Sequence, residues 1–273
     1  MSLSGKTLFI TGASRGIGRE IALKAAAQGA NIVIAAKSAE PHPKLPGTIH
    51  SVAAEVEAAG GKALALKLDV RDEVSVKAAM AQAAAHFGGI DALINNAGAI
   101  RLVGVEQLEP KRYDLMFQIN TRAVMVCSQA ALPYLKKSAG GHILNLSPPL
   151  NLDAKWFAQH GPYTVTKYGM SMLTLGMHEE FRKYGISVNS LWPKTVIATA
   201  AIEYEAGGPA VMKASRLPAI MADAACAILA SENRRISGRL MIDEEILREQ
   251  GQSDFEQYRY DPAGKLMTDL FVD

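Results

Sequence analysis

Residues 7–26 read TLFITGASRGIGREIALKAA. A five-residue apolar run comes first, then a glycine-rich turn, then a helical pattern from about Gly16. TLFIT has no strict polar alternation, which is how a strand covered on both faces reads. Gly12, Gly16 and Gly18 let the backbone turn tightly and come close to a pyrophosphate. The helix that follows offers unpaired amide N–H groups and the positive end of its dipole. The candidate contacts in the turn are Gly12, Ser14, Arg15, Gly16, Ile17 and Gly18. A plain strand-to-helix connection is the competing reading of a glycine-rich turn.

Outward from this stretch, short apolar runs alternate with longer amphipathic ones. NIVIAA precedes a helix from about His50, ALALKLD one from about Asp72, and DALINN one from about Pro110. HILNLS precedes a helix from about Pro162, ISVNSLW one from about Pro218, and RLMID ends the series. Seven strands separated by helices predict an α/β fold: a Rossmann-type, doubly wound, seven-stranded parallel sheet with helices on both faces. Residues 1–273 are expected to form a single domain, with 245–273 as a C-terminal tail folding back on it because LMTDLFVD is apolar-rich. Residues 38–49, SAEPHPKLPGTI, carry three prolines and predict a stiff ordered loop.

The 273 residues are 49% hydrophobic and 21% charged, enough to bury a large core. Twenty-nine basic and 27 acidic residues are spread evenly, with a net charge of +2, so no basic block marks nucleic acid or an anionic membrane as a partner. Small molecules and copies of the chain itself are the partners expected. Cys127 and Cys226 sit in apolar helical surroundings without a CxxC pattern and read as buried free thiols. The first strand begins within a few residues of Met1, leaving no room for a signal peptide, and no apolar run is long enough to span a membrane. A soluble, cytoplasmic protein is expected. The six histidines show no metal-ligand pairing, so no metal is expected.

Dinucleotide folds often end the second strand on an acid that holds the ribose 2′-hydroxyl. Here the strand ends Ala35-Ala36-Lys37. Lys37 and Arg15 put positive charge where a 2′-phosphate would sit, and Lys44 or His42 on the proline loop could add to it, which favours NADP over NAD. Solvated surface charges are the plainer reading of the same residues. Further on, Tyr163 lies four residues ahead of Lys167, on one helix face. A cation one turn from a phenol raises its acidity, as a proton donor beside a carbonyl requires.

With TGASRGIG at 11–18, Asp69 in LDVRD, NNAG at 95–98, Asn120 in FQIN, HILNLS, YTVTK at 163–167 and SVNSLWP at 187–193, the chain resembles the short-chain dehydrogenase/reductase family over nearly its whole length. A narrower likeness, to the hydroxysteroid dehydrogenase-like proteins, rests on AEPHPKLPGTI, SPPLNL, KYGMSM, LWPKT and DEEILREQG. Some of those carry a sterol-carrier domain, for which the residues after 244 are too few. The resemblance implies that Asp69, with Val70 beside it, holds the adenine, that Asn95 and Asn96, Ala97 and Gly98 pack against the cofactor, and that Lys167 also bonds the nicotinamide ribose. It further implies that Asn120 bends its helix and holds a water in a relay through Lys167 to Tyr163, and that dimers or tetramers form.

Two departures stand out. The family's Pro-Gly is Pro193-Lys194 here, which lets Lys194 approach the site, while Thr195 and Thr199 both qualify for the family's threonine contact. Pro148 occupies the place of the catalytic serine. Ser147, sixteen positions before Tyr163, is the provisional polarising donor, with Asn151 in reserve. The reading is an NADP-dependent oxidoreductase for a carbonyl/alcohol pair, with Tyr163, Lys167, Asn120 and Ser147 as catalytic candidates and an apolar steroid, acyl or terpenoid substrate. Trp156, Phe157, Trp192, Tyr204 and Met212 are placed near the substrate mouth, where core packing explains them equally well. The rival is a non-catalytic protein that binds NADPH as a structural ligand or sensor. Apolar runs wrapping much of the helices from about Pro110 and Pro162 predict a homo-oligomer.

Overall fold

The structure, a computed structural model, describes residues 2–231 and 236–273. Its strands are β1 (Thr7–Thr11), β2 (Asn31–Ala36), β3 (Lys62–Lys67), β4 (Ala92–Asn95), β5 (His142–Asn145), β6 (Ser187–Trp192) and β7 (Leu240–Ile242). They form one sheet, all parallel, in the order β3-β2-β1-β4-β5-β6-β7. Every residue of β1, β4, β5 and β6 is buried. Edge strand β3 is the most open, with Lys62 and Lys67 exposed at its two ends.

The helices are α1 (Gly16–Ala26), α2 (Ile49–Ala58), α3 (Glu73–Phe87), α4 (Pro110–Phe117), α5 (Ala123–Leu135), α6 (Lys155–Ala158), α7 (Gly161–Phe181), α8 (Gly208–Lys213), α9 (Ala219–Leu229) and α10 (Asp243–Glu249). One core packs α1, α2 and α9 on one face of the sheet, through Ile21, Val52, Val56 and Ile228. The second packs α3, α5 and α7 on the other face, through Met80, Cys127, Met170 and Phe181. Local sequence sets the ends. Asp72 caps α3 by accepting from the amides of Val74 and Ser75, and Thr48 caps α2 in a reciprocal box with Ser51.

Strand order reverses between β1 and β4, which are neighbours although two strands lie between them in sequence. In such a sheet the crevice beyond the strands' carboxyl ends, at that reversal, is where ligands sit. The loops after β1, β4, β5 and β6 therefore converge there. The chain after α10 returns to the same end: Thr268 bridges Thr195, and the Val196 amide donates to the Met267 carbonyl.

Candidate active site

Two cavities meet beyond the strand ends. One, of about 540 Å³, is walled by the turn after β1 (Gly12, Ser14, Arg15, Gly16 and Ile17), by Lys37 and Ser38, by Asp69 and Val70, by Asn96 to Gly98 and by residues 199–201. The turn needs its glycines for contact as well as shape. A Cβ on Gly12, whose φ is +68°, would lie 2.8 Å from the Ala97 Cα, and one on Gly18 would lie 2.4 Å from the Asn96 Nδ2. Gly18 thus packs behind the turn and stays off the cavity wall. No side chain caps α1, and its first turn carries no acid, which leaves its amides open to an anion.

The charges around this cavity have partners of their own. The Arg15 guanidinium donates to the Pro46 carbonyl (2.9 Å), the Gly47 carbonyl and the Ser38 hydroxyl (both 3.1 Å), pinning the proline loop. Lys37 lies 3.4 Å from the Asp69 carboxylate, which Arg71 grips through Nε and Nη2 and holds far below the usual carboxylate range. Leu45, rather than Lys44 or His42, lines the cavity from the loop; the His42 ring is occupied in accepting from the Lys44 and Leu45 amides.

The second cavity, about 340 Å³, shares Ile17, Asn96, Gly98, Thr199 and Ala201 with the first and holds Tyr163 and Lys167, one turn apart on α7. The Lys167 ammonium donates to the Leu146 carbonyl (2.6 Å), and burial pulls its pKa down to about 7. Burial pushes the Tyr163 phenol far above its ordinary value. Asn120 lies within a π-helical stretch, Gln118–Arg122, that breaks the regular hydrogen bonding between α4 and α5. Its amide accepts from the Ala99 N–H (2.8 Å) and donates to the Ala99 carbonyl (3.0 Å) and the Thr166 hydroxyl (2.9 Å), tying the loop after β4 to α7.

Several residues lie elsewhere than the sequence suggested. Ser147 is fully buried, is absent from the cavity wall, and its hydroxyl finds no hydrogen-bond partner among the described residues. The Pro148 carbonyl accepts from Ser171 behind it, so the chain turns into the core there. Asn151 is held away by Asp273, which takes its amide (2.9 Å), and by the Tyr168 hydroxyl. Lys194 turns out of the site: its ammonium pairs with Glu244 (2.9 Å), which also binds Arg216 and Arg248, while its amide donates to Asp243. Pro193 and Thr199 line the cavity, whereas Thr195 is buried and its hydroxyl has no hydrogen-bond partner among the described residues. Among the aromatic candidates, Trp192 lines the second cavity and Tyr204 the first.

The sequence reading missed the tail's part in the wall. Met267, Thr268, Asp269 and Leu270 line the second cavity. Phe271, buried and with φ +72°, puts its ring among Trp156, His160, Tyr163, Tyr168 and Trp192. That left-handed backbone is costly for a bulky residue. The hints in sequence were the apolar run of LMTDLFVD and an acid, Asp269, inside it.

Among the described residues no cluster of metal-ligating side chains occurs, and no helix is long and apolar enough to cross a membrane. Residues 6–206 match the short chain dehydrogenase family. The chain is 56% identical over 271 residues to hydroxysteroid dehydrogenase-like protein 2 of Xenopus laevis, covering 99% of this chain and 64% of that relative's length. Its structure is similar to that of a putative dehydrogenase from Xanthomonas campestris, with 53% identity, a TM-score of 0.96 and full coverage of both chains. A short chain dehydrogenase from Mycobacterium thermoresistibile matches with 47% identity and a TM-score of 0.94, over 100% of this chain and 96% of that one. With this extent of match, and a glycine turn leading into a cavity that holds Tyr163 and Lys167, the chain belongs to the short-chain dehydrogenase/reductase family.

Proposed function

We propose that the protein is an NADP-dependent oxidoreductase that interconverts a carbonyl and an alcohol, with Tyr163 giving the proton in reduction and taking it in oxidation. The observation that carries this reading is the shared wall of Ile17, Asn96, Gly98 and Thr199, which joins the cavity of the glycine turn to the cavity of Tyr163 and Lys167. The residues fit the cofactor. Gly12, Ser14, Gly16 and Ile17 would hold its diphosphate beside the open amides of α1, and Arg15 and Lys37 the 2′-phosphate. Asp69 and Val70 would hold the adenine, Asn96, Ala97 and Gly98 its middle, and Pro193 the nicotinamide end, with Thr195 buried off the cavity wall. Bound there, NADPH supplies a hydride to the carbonyl carbon.

The chain's own residues do the rest. Burial, and then Asp269, raise the Tyr163 pKa; a positive charge on Lys167, one helical turn along, would work against that and ease loss of the phenolic proton. Asn120 fixes the loop after β4 against α7 and so fixes where Tyr163 stands. Ile100, Leu102, Val196, Ile202, Val211 and Met221 make the far wall apolar, which supports a hydrophobic carbonyl of steroid, acyl or terpenoid class. The exposed Phe117, Met125, Val165, Met172 and Leu175 on α4, α5 and α7 support a homodimer or homotetramer. The two free, buried thiols, Cys127 and Cys226, suit a reducing cytoplasm.

A second reading, a non-catalytic NADPH-binding protein, draws on the positions of Ser147 and Asn151 off the cavity wall. One experiment separates the two. A panel of hydrophobic carbonyls and alcohols is screened by NADPH absorbance, with Tyr163→Phe as the blank. Turnover by the parent that Tyr163→Phe abolishes is the expected result; NADPH binding with no turnover in either protein gives the second reading.

A further inference from the structure

We propose that Asp269 is a catalytic residue standing in for the missing serine: as a neutral carboxylic acid, it donates a hydrogen bond to the substrate's reacting oxygen beside Tyr163. This rests on the oxidoreductase reading above and on how most of the other polar groups on the same wall are engaged; Thr268, also on that wall, is exposed. Asn96 gives its amide hydrogens to the Thr11 and Gly12 carbonyls. Asn120 is taken by Ala99 and Thr166, and Lys167 donates to the Leu146 carbonyl. Thr199 stands at the phosphate end, its methyl 3.5 Å from where a Cβ on Gly16 would be. Ser147 and Asn151 are off the wall altogether.

Asp269 is held firmly in place. Its amide donates to the Lys194 carbonyl (3.0 Å), and its Oδ1 accepts from the Leu270 amide (2.7 Å). Asp269 lines the same cavity as Tyr163 and Lys167. Flanking contacts fix the segment: Trp192 Nε1 donates to the Leu270 carbonyl (2.8 Å), and Phe271 is wedged in the left-handed region among five rings. Strain of this kind persists where the surroundings over-determine it, and it gathers at functional sites.

A carboxylate would repel the charge growing on a reacting carbonyl oxygen, whereas a neutral acid in an apolar wall can donate to it. Three ionisable groups act on Asp269: Asp243 at the start of α10, and Lys167 and Tyr163 on α7. Burial is the largest influence and Asp243 adds to it, against the attraction of Lys167, so the carboxyl is pushed up to about 7. In reduction the carbonyl oxygen takes its proton from Tyr163. Asp269 keeps its own proton and stabilises the oxygen throughout.

The test uses the 273-residue chain with Asp269→Ala, Asp269→Asn, Ser147→Ala and Tyr163→Phe. Turnover, NADPH affinity by fluorescence, and the infrared carbonyl band of protonated carboxyls in the cofactor-free protein are each followed against pH. Asp269→Ala is expected to lose about a hundredfold in turnover with NADPH affinity unchanged. Asp269→Asn, which can donate but cannot titrate, should keep most of the rate and lose an infrared band that titrates near neutrality in the parent. The proposal is overturned if Asp269→Ala matches a parent that Tyr163→Phe inactivates, if Asp269→Asn is as slow as Asp269→Ala, if Ser147→Ala collapses, or if no band survives above pH 5. A parent that turns over nothing removes the oxidoreductase reading and the donor role together.

Discussion

The proposed preference for NADP rests on single side chains. Lys37 reaches over the first cavity from the end of β2, beside an Asp69 already gripped by Arg71, and so keeps charge to offer a phosphate. NADPH should bind at least tenfold more tightly than NADH, roughly 1.4 kcal/mol, and Lys37→Ala should remove most of that margin in a fluorescence titration. Equal affinities in the parent would count against NADP. Arg15 behaves differently, because it also staples Pro46 and Gly47. Arg15→Ala should therefore weaken both dinucleotides and loosen the proline loop, seen as faster amide exchange over residues 38–48. The charge of Arg15 was legible in the sequence, but its three donations to the loop depend on a fold that brings residue 15 to residue 46.

Among the elements, β5 carries a titrating group that its sequence does not advertise. His142 opens the strand, fully enclosed, with its Nε2 facing the Asn189 amide of β6 at 3.0 Å. Burial, helped by the charge of Lys6, pulls its pKa from 6.5 down to about 4. A histidine whose folded pKa is depressed contributes stability that is complete above pH 6.5 and lost as pH falls toward 4. The drop is on the order of 3 kcal/mol, and it should shrink in His142→Gln when urea midpoints are compared across that window. The strands themselves were readable because burial on both faces leaves an unbroken apolar signature, and TLFIT and NIVIAA span β1 and β2 without an added or missing residue. α10 was not readable. It starts directly after β7 with no turn residue between, so its acidic first turn and Arg248 in its last read as tail; Glu244 there collects Lys194, Arg216 and Arg248.

For the whole molecule, the apolar residues left outside on α4, α5 and α7 predict a multiple of the monomer mass in light scattering at micromolar concentration. Met172→Glu with Leu175→Glu should shift that mass toward the monomer without unfolding the sheet. The same scale explains what the sequence concealed about the site. Tyr163 and Lys167 share a helix, so their spacing carries their meaning. Asp269 meets them only because the chain's last stretch doubles back past the end of β6; the apolar LMTDLFVD signals a return, but not the strand end it reaches. That return gives the 273-residue chain a built-in reporter. Phe271 is wedged among rings that include Tyr163, so a molecule occupying the site raises the free energy needed to lift the last residues away. Carboxypeptidase should therefore trim the chain past Phe271 quickly when the site is empty and slowly when it is filled. Digestion followed by mass spectrometry would then rank candidate substrates without any of them being turned over.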